Sequence, residues 1–165
     1  MKGNYRIRPL VEADFRDAVT LILDVYTRFC KDEVTPEGLK RLRYALDFDL
    51  HGPDVVYQRL KQPFMFVAES AGQVIGVISG SQDRVKQLFV AGEYHKRGVA
   101  AALLTRYESE VARSLGPNAG DIVIRVRSSL YAWRFYQQHG FKRTTGIRSY
   151  RGFSIYPMKK VLLSR

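Results

Sequence analysis

Leu88-Phe-Val-Ala-Gly-Glu-Tyr-His-Lys-Arg-Gly-Val-Ala-Ala-Ala-Leu-Leu104 reads as a strand, a basic turn and the start of a helix. Leu88, Phe89 and Val90 form a short apolar run that Gly92 ends. Beyond Gly98 the apolar residues Val99, Leu103, Tyr107 and Val111 recur every four positions, the period of one helix face. A helix N-terminus offers unpaired backbone N–H groups and the positive end of the helix dipole, so the junction suits an anion. Gly98 and Ala100 to Ala102 carry little side chain, which lets a phosphate approach the backbone, while Lys96 and Arg97 add full charge. The Gly-Lys-Ser/Thr ending of a P-loop is absent, and so is the G-x-G-x-x-G of dinucleotide folds. Taken alone, the stretch is either an anion site or a basic turn capping a surface helix.

The chain around it has 165 residues, enough for one domain (1–165) with a core of its own. With 45% hydrophobic and 12% aromatic residues, the composition excludes a disordered chain. No apolar run is long enough to cross a bilayer, and the polar opening Met1-Lys-Gly-Asn-Tyr-Arg is unlike a signal peptide. Cys30 is the lone cysteine, so no internal disulfide can form; a cytoplasmic location is expected, with a buried, inert thiol on the apolar side of the first helix. His51, His95 and His139 lack ligand spacing, so no metal is expected. The net charge of +11 is uneven: Ile122 to Arg165 holds ten Lys or Arg and no acid, whereas Asp24 to Asp54 holds seven acids and five bases. Such asymmetry suits an anionic ligand, nucleic acid or an acidic partner on one side and a different task on the other.

In chain order, Tyr5 to Arg8 is a short edge strand stopped by Pro9. Phe15, Val19, Ile22, Tyr26 and Phe29 predict a helix from about Glu12 to Lys31. Thr35-Pro36-Glu37 is an N-cap followed by a first-turn Pro, and opens a second helix through Leu46. Gly52-Pro53 breaks the chain before a third, capped by Asp54 and ending at Leu60. Strands follow at Phe64–Glu69, Val74–Ser79 and Val85–Val90, joined by Ala71-Gly72 and by Gly80-Ser81-Gln82. Asp121 to Val126 is a further strand, with Arg125 and Arg127 on the face opposite Ile124 and Val126. Ser129 caps a helix from Leu130 to about Gln138, Gly140 ends it, and Phe141 opens a new strand. Meandering strands that feed a strand–helix unit make an α/β (α+β) fold with a mixed sheet.

Two stretches in this order resemble the GCN5-related N-acetyltransferases (GNAT). His95-Lys96-Arg97-Gly98-Val99-Ala100 is similar to their Gln/Arg-x-x-Gly-x-Gly/Ala pyrophosphate loop, with His in place of Gln or Arg. Ser129-Leu-Tyr-Ala-Trp-Arg-Phe-Tyr-Gln-Gln-His-Gly-Phe141 is similar to their Asn-x-x-Ala-x-x-Phe-Tyr-x-x-x-Gly-Phe, with Ser for Asn. Arg6-Ile-Arg-Pro-Leu10 and the last strand through Leu163, with Pro157-Met158 near its middle, resemble the family's two ends.

The resemblance implies a mixed, largely antiparallel central sheet flanked by helices. It also implies direct acetyl transfer from acetyl-CoA to an amine of a small molecule, peptide or protein, with no metal, by a monomer or homodimer. Leu88, Phe89 and Val90 would pair with the pantetheine amides, and N–H groups from His95 through Lys96, Arg97, Gly98, Val99, Ala100 and Ala101 would hold the pyrophosphate. Ser129 would bond the pantetheine arm. Tyr136 takes the position of the general acid for the CoA thiolate, against the alternative of a core aromatic. Asp32 and Glu33 are candidates for attracting the cationic amine, or belong to a solvated loop. The base is open among Asp83, Glu69, Glu33 and water, because the strand Arg84–Val90 carries no carboxylate. The rival reading is a non-catalytic module that grips nucleic acid or an acidic partner through the basic C-terminal third. Nucleic acid is disfavoured, since no exposed aromatic stacking motif accompanies the cations.

Overall fold

The computed structural model describes residues 4–162. The polar start at 1–3 and Leu163 lie outside them. The eight strands are β1 (Arg6–Pro9), β2 (Phe64–Ser70), β3 (Gln73–Gly80), β4 (Arg84–Val90), β5 (Ile122–Ser129), β6 (Lys142–Arg143), β7 (Arg148–Tyr150) and β8 (Phe153–Leu162). They form one sheet in the order β1-β2-β3-β4-β5-β8-β6, with β7 on β8. Only β4 and β5 run parallel; the other pairs are antiparallel. The expected mixed, largely antiparallel sheet is therefore present. The short β7, which forms a hairpin with β8, was not foreseen.

Helices α1 (Phe15–Phe29), α2 (Pro36–Ala45), α3 (Phe48–His51) and α4 (Pro53–Leu60) precede β2, α5 (Val99–Leu115) links β4 to β5, and α6 (Trp133–Gln138) follows β5. The first helix starts later than its apolar period suggests. Glu12–Asp14 forms a separate 3-10 turn. There the Asp14 carboxylate takes two bonds from Arg8, at 2.7 and 2.9 Å, and one from the Val11 N–H at 2.9 Å. Thr35 caps α2 as expected, its hydroxyl accepting the Gly38 N–H at 3.0 Å. The unforeseen α3 is capped by Asp47, which accepts from Asp49 and Leu50, and Asp54 lies inside the first turn of α4 rather than capping it.

The sheet has two apolar faces. Val99, Leu103, Leu104, Tyr107 and Val111 of α5, with Tyr136 of α6, cover one. Phe15, Val19, Ile22 and Val25 of α1, with Val56 and Leu60 of α4, cover the other over Val67 and Val77. The pairing of β4 with β5 extends over two residues only, Arg84 with Arg125 and Val85 with Val126, so the strands part before Leu88. The β3–β4 register slips between Ser79 and Gly80, which leaves Lys86 unpaired. Such a bulge bends and twists its strand. Gly80 permits it: a Cβ there would lie 2.3 Å from the Arg84 carbonyl oxygen and 2.9 Å from the Tyr107 ring. The Tyr107 hydroxyl closes the same turn by donating to the Ser81 carbonyl at 2.5 Å. Gly80→Ala should lower stability by about 1–3 kcal/mol, because no flexible side chain can yield the space. An unchanged urea midpoint would contradict this role for the bulge.

Candidate active site

Where β4 and β5 diverge, a cleft of ≈ 660 Å³ opens between β4, the start of α5 and the β5–α6 segment. Its walls include Leu88, Phe89 and Val90 from β4, His95, Lys96, Gly98, Val99, Ala100 and Ala101 from the turn and helix, and Ser129 and Tyr136 opposite. These are eleven of the residues expected from sequence; Arg97, Asp32 and Glu33 do not line it. The β4 wall is an unpaired strand edge. The Ala91 N–H bonds to Ile75 of β3, so by alternation Leu88 and Val90 turn their backbone groups toward the cleft.

The turn into α5 leaves backbone N–H groups open to the cleft. Lys96 has φ 61 and Gly98 φ 82, both left-handed. A Cβ at Gly98 would meet only the Tyr5 hydroxyl, at 3.9 Å, so the space above the turn is open. Ala102 N–H bonds to the Gly98 carbonyl, so Val99, Ala100 and Ala101 carry the unpaired N–H groups of the first turn. The His95 N–H is spent on the Gly92 carbonyl, and the free run therefore begins beyond it. The His95 ring turns back toward β4. Its Nε2 donates to the Val90 carbonyl at 2.7 Å, which leaves Nδ1 to accept from the Tyr131 hydroxyl at 3.3 Å. Arg97 stacks on Tyr94, 5.4 Å from the ring centre.

On the opposite wall Ser129 ends β5 instead of capping a helix at Leu130. Its hydroxyl accepts the Ala132 N–H at 3.0 Å, closing a turn that delays α6 to Trp133. Tyr136 is buried against Phe135 and Phe141. Burial pushes its hydroxyl above the ordinary tyrosine range, with smaller contributions from Tyr26 and Tyr107.

The three candidate carboxylates separate. Glu69 is paired with Arg8 at 2.5 Å and Arg6 at 3.3 Å, which depresses it, Arg8 most. Asp83 is depressed by the Ser81 hydroxyl, which donates to it at 2.7 Å. Neither lines the cleft. Glu33 lies next to it, accepting the Leu130 N–H at 2.8 Å between the lining residues Ser129 and Tyr131. Burial raises its carboxyl, against the lowering effect of the Leu130 and Tyr131 N–H groups. Asp32 is exposed on the same 3-10 turn.

Sequence reasoning gave no site role to Cys30 and Tyr131, which line the cleft, or to Tyr26 behind its Phe89 wall. Tyr26 sits 5.1 Å from both Phe89 and Phe153. Its place on the apolar period of α1 marked it only as core. Cys30 is buried, as expected, yet it lines the cleft. Burial pushes its thiol up to about 12, the Glu33 charge adds to this, and the Ser129 hydroxyl opposes it.

The sequence model of the acetyltransferase (GNAT) domain matches residues 30–162. The chain belongs to the GNAT acetyltransferase family. It is accordingly an acyltransferase enzyme. No curated protein sequence matches it. Among solved structures it is similar to a GCN5-related N-acetyltransferase from Rhodopseudomonas palustris (TM-score 0.79, 18% identity, 98% of each chain covered). It is also similar to the PaiA N-acetyltransferase of Thermoplasma acidophilum, determined with coenzyme A (0.69, 16%, 94% of this chain and 98% of that one). Ard1 from Thermoplasma volcanium gives a TM-score of 0.64 at 24% identity, covering 97% of this GNAT chain and 99% of its own. These likenesses extend the family's fold over the N-terminal residues that the family match leaves out. No helix among the described residues is long and apolar enough to cross a membrane.

Cys30 gives this wall a direct chemical readout. At pH 8 a thiol held near 12 is almost wholly protonated, so it should react with a disulfide reagent at least ~100-fold more slowly in the native protein than in urea. Equal rates would show that the wall is open to solvent there.

Proposed function

We propose that this GNAT protein transfers the acetyl group of acetyl-CoA directly to a primary amine of a small molecule, peptide or protein. The observation that carries the reading is the free edge of β4 running into the unpaired N–H groups of α5, along one cleft. Leu88 and Val90 offer backbone groups to the pantetheine amides as an added strand would. Val99, Ala100 and Ala101 hold the pyrophosphate, with Lys96 and Arg97 supplying charge above them. The open space over Gly98 and the ≈ 660 Å³ of the cleft suit the fit. His95 must share or release the Val90 carbonyl when the pantetheine arm pairs with it. Ser129 stands opposite as a further hydroxyl for that arm.

Bound acetyl-CoA supplies the thioester carbon that the amine nitrogen attacks, with the thiolate as leaving group. Tyr136 stands as the general acid, its hydroxyl hydrogen-bonded to that sulfur as the thiolate leaves. Its raised pKa makes complete transfer to a thiolate near ~8.5 uphill, so the residue acts mainly as a hydrogen-bond donor while the C–S bond breaks. Glu33 takes the proton that the ammonium acceptor must lose, directly or through water, and burial makes its carboxylate the more basic. Asp32 adds negative charge that draws the ammonium toward the same turn.

Transfer to a panel of amines, followed by release of free CoA thiol, tests the reading. The wild type should turn over and bind CoA. Tyr136→Phe should lose turnover at least ~10-fold while keeping its CoA affinity. Because the folded pKa of Glu33 lies above its unfolded value, ionising it costs stability as pH rises through the folded value. Glu33→Gln keeps an oxygen for the Leu130 N–H and does not ionise, so it should be no less stable than wild type at neutral pH. It should nevertheless lose kcat and flatten the acid limb of the pH profile. Unchanged turnover in both variants would overturn these assignments, and a wild type that binds no CoA would overturn the function.

A further inference from the structure

The acid-free C-terminal third assembles into one surface. Residues of a sheet that are Cα partners on neighbouring strands project from the same face. Arg84 of β4 partners Arg125 of β5, Arg125 partners Lys159 of β8, and Lys159 partners Lys142 of β6. Four cations thus stand in a single row across four strands, at strand spacings of roughly 5 Å. Arg127 is two residues along β5, and Arg148 joins the same face from β7. This face is the one that α1 covers elsewhere, since Val77 and Phe89 belong to the apolar cluster with α1. Over β5, β6 and β8 the corresponding positions Val123, Arg125, Lys142 and Lys159 are exposed. None of the six cations forms an ion pair among the described residues; the pairs there engage Arg6, Arg8, Arg28, Arg106, Arg113 and Lys160. Burial, then the charge of Arg127 and less so of Arg125, pushes the Arg84 guanidinium down, and the neighbouring Asp83 charge only partly opposes this.

The face continues into the acceptor side of the cleft. Arg127 lies over Tyr150 at 4.2 Å, Tyr150 partners Phe153, Phe153 packs on Tyr26 at 5.1 Å, and Tyr26 on the cleft residue Phe89 at 5.1 Å. Across that mouth stand Asp32 and Glu33 on the turn after α1, and Val34 bridges to Phe153. An acceptor reaching Phe89 therefore meets negative charge beside its amine and a row of positive charge beyond.

We propose that the acceptor is a polypeptide whose reactive amine is flanked by acidic residues, which dock on the Arg84–Arg125–Lys159–Lys142 row. The inference rests on the acetyltransferase reading and narrows its substrate. Charge complementarity selects a polyanion, and the surroundings select polypeptide over nucleic acid. Of the aromatics on this face, Tyr150 is already stacked by Arg127 and Arg151, at 4.2 and 5.2 Å, and Phe153 packs on Tyr26, so neither offers a free platform for a base. A polypeptide also carries the amine that the reaction consumes.

Three short peptides with one central Lys test this, their flanks alternating Ser with Glu, with Gln or with Arg. Binding is followed by anisotropy of a fluorescein label, and acetylation by CoA release. The Glu-flanked peptide should have a kcat/KM about tenfold or more above the Gln-flanked one, mainly through KM, and the gap should shrink as salt rises. Arg125→Glu/Lys159→Glu, at two exposed positions, should abolish that preference while calorimetry shows CoA bound as in the wild type. With CoA binding intact, equal kcat/KM for the Glu and Gln peptides overturns the docking inference alone. So does an oligonucleotide that displaces the labelled Glu peptide more strongly than the unlabelled peptide does. A wild type that binds neither CoA nor acetyl-CoA overturns the acetyltransferase reading and this inference with it.

Discussion

The two-residue pairing of β4 with β5 is the constraint on which the site depends. Parallel strands normally continue side by side, and a full ladder here would bury the edge of Leu88 to Val90 against β5. Instead, the bulge at Lys86 turns β4 away after Val85. The bulge needs Gly80, whose missing side chain admits the Arg84 carbonyl, and Tyr107, whose hydroxyl holds Ser81. Tyr107 is also fully buried in the core under α5. The helix that closes the parallel crossover therefore fixes the bulge as well, and its N-terminus lies at the head of the resulting cleft. One packing arrangement both opens a strand edge and aims unpaired N–H groups along it.

Opposite walls of the cleft are tied by polar contacts that cost the site some of its free groups. His95 reaches back to the Val90 carbonyl and is linked to Tyr131 across the opening. Glu33 fastens the turn after α1 to the backbone that follows β5. Its two N–H contacts offset only part of the desolvation, so its carboxyl stays raised. It is the one of the three candidate carboxylates that lies beside the cleft. Glu69 and Asp83, engaged with Arg8 and Ser81, serve the frame of the sheet.

Much of this was legible in the sequence because it is local. The strand, basic turn and helix around Gly98, the Thr35 cap and the strand boundaries from Phe64 to Val90 each follow from residues within a turn of one another. What was not legible depends on distant partners. Glu33 and Leu130 are 97 positions apart, so no periodicity announces their bond. The late start of α6 follows from the Ser129 hydroxyl closing a turn of its own. The delayed α1 follows from Arg8 capturing Asp14. The alternation of Arg125 and Arg127 with Ile124 and Val126 was plain, yet only the register aligns Arg125 with Arg84, Lys159 and Lys142 in a row. The family's two motifs supplied the function, because their order and spacing fit a cleft that neither motif defines alone.

The most direct test of the cleft as the acetyl-CoA site is a titration of isotopically labelled protein with acetyl-CoA, followed by amide chemical shifts. The largest changes should fall on Leu88, Val90 and Gly98 to Ala101, the free strand edge and the first turn of α5, with the His95 ring resonances moving as the Val90 carbonyl is shared. Changes confined to the cationic row of β5 and β8, with the β4 edge and the start of α5 unmoved, would contradict it.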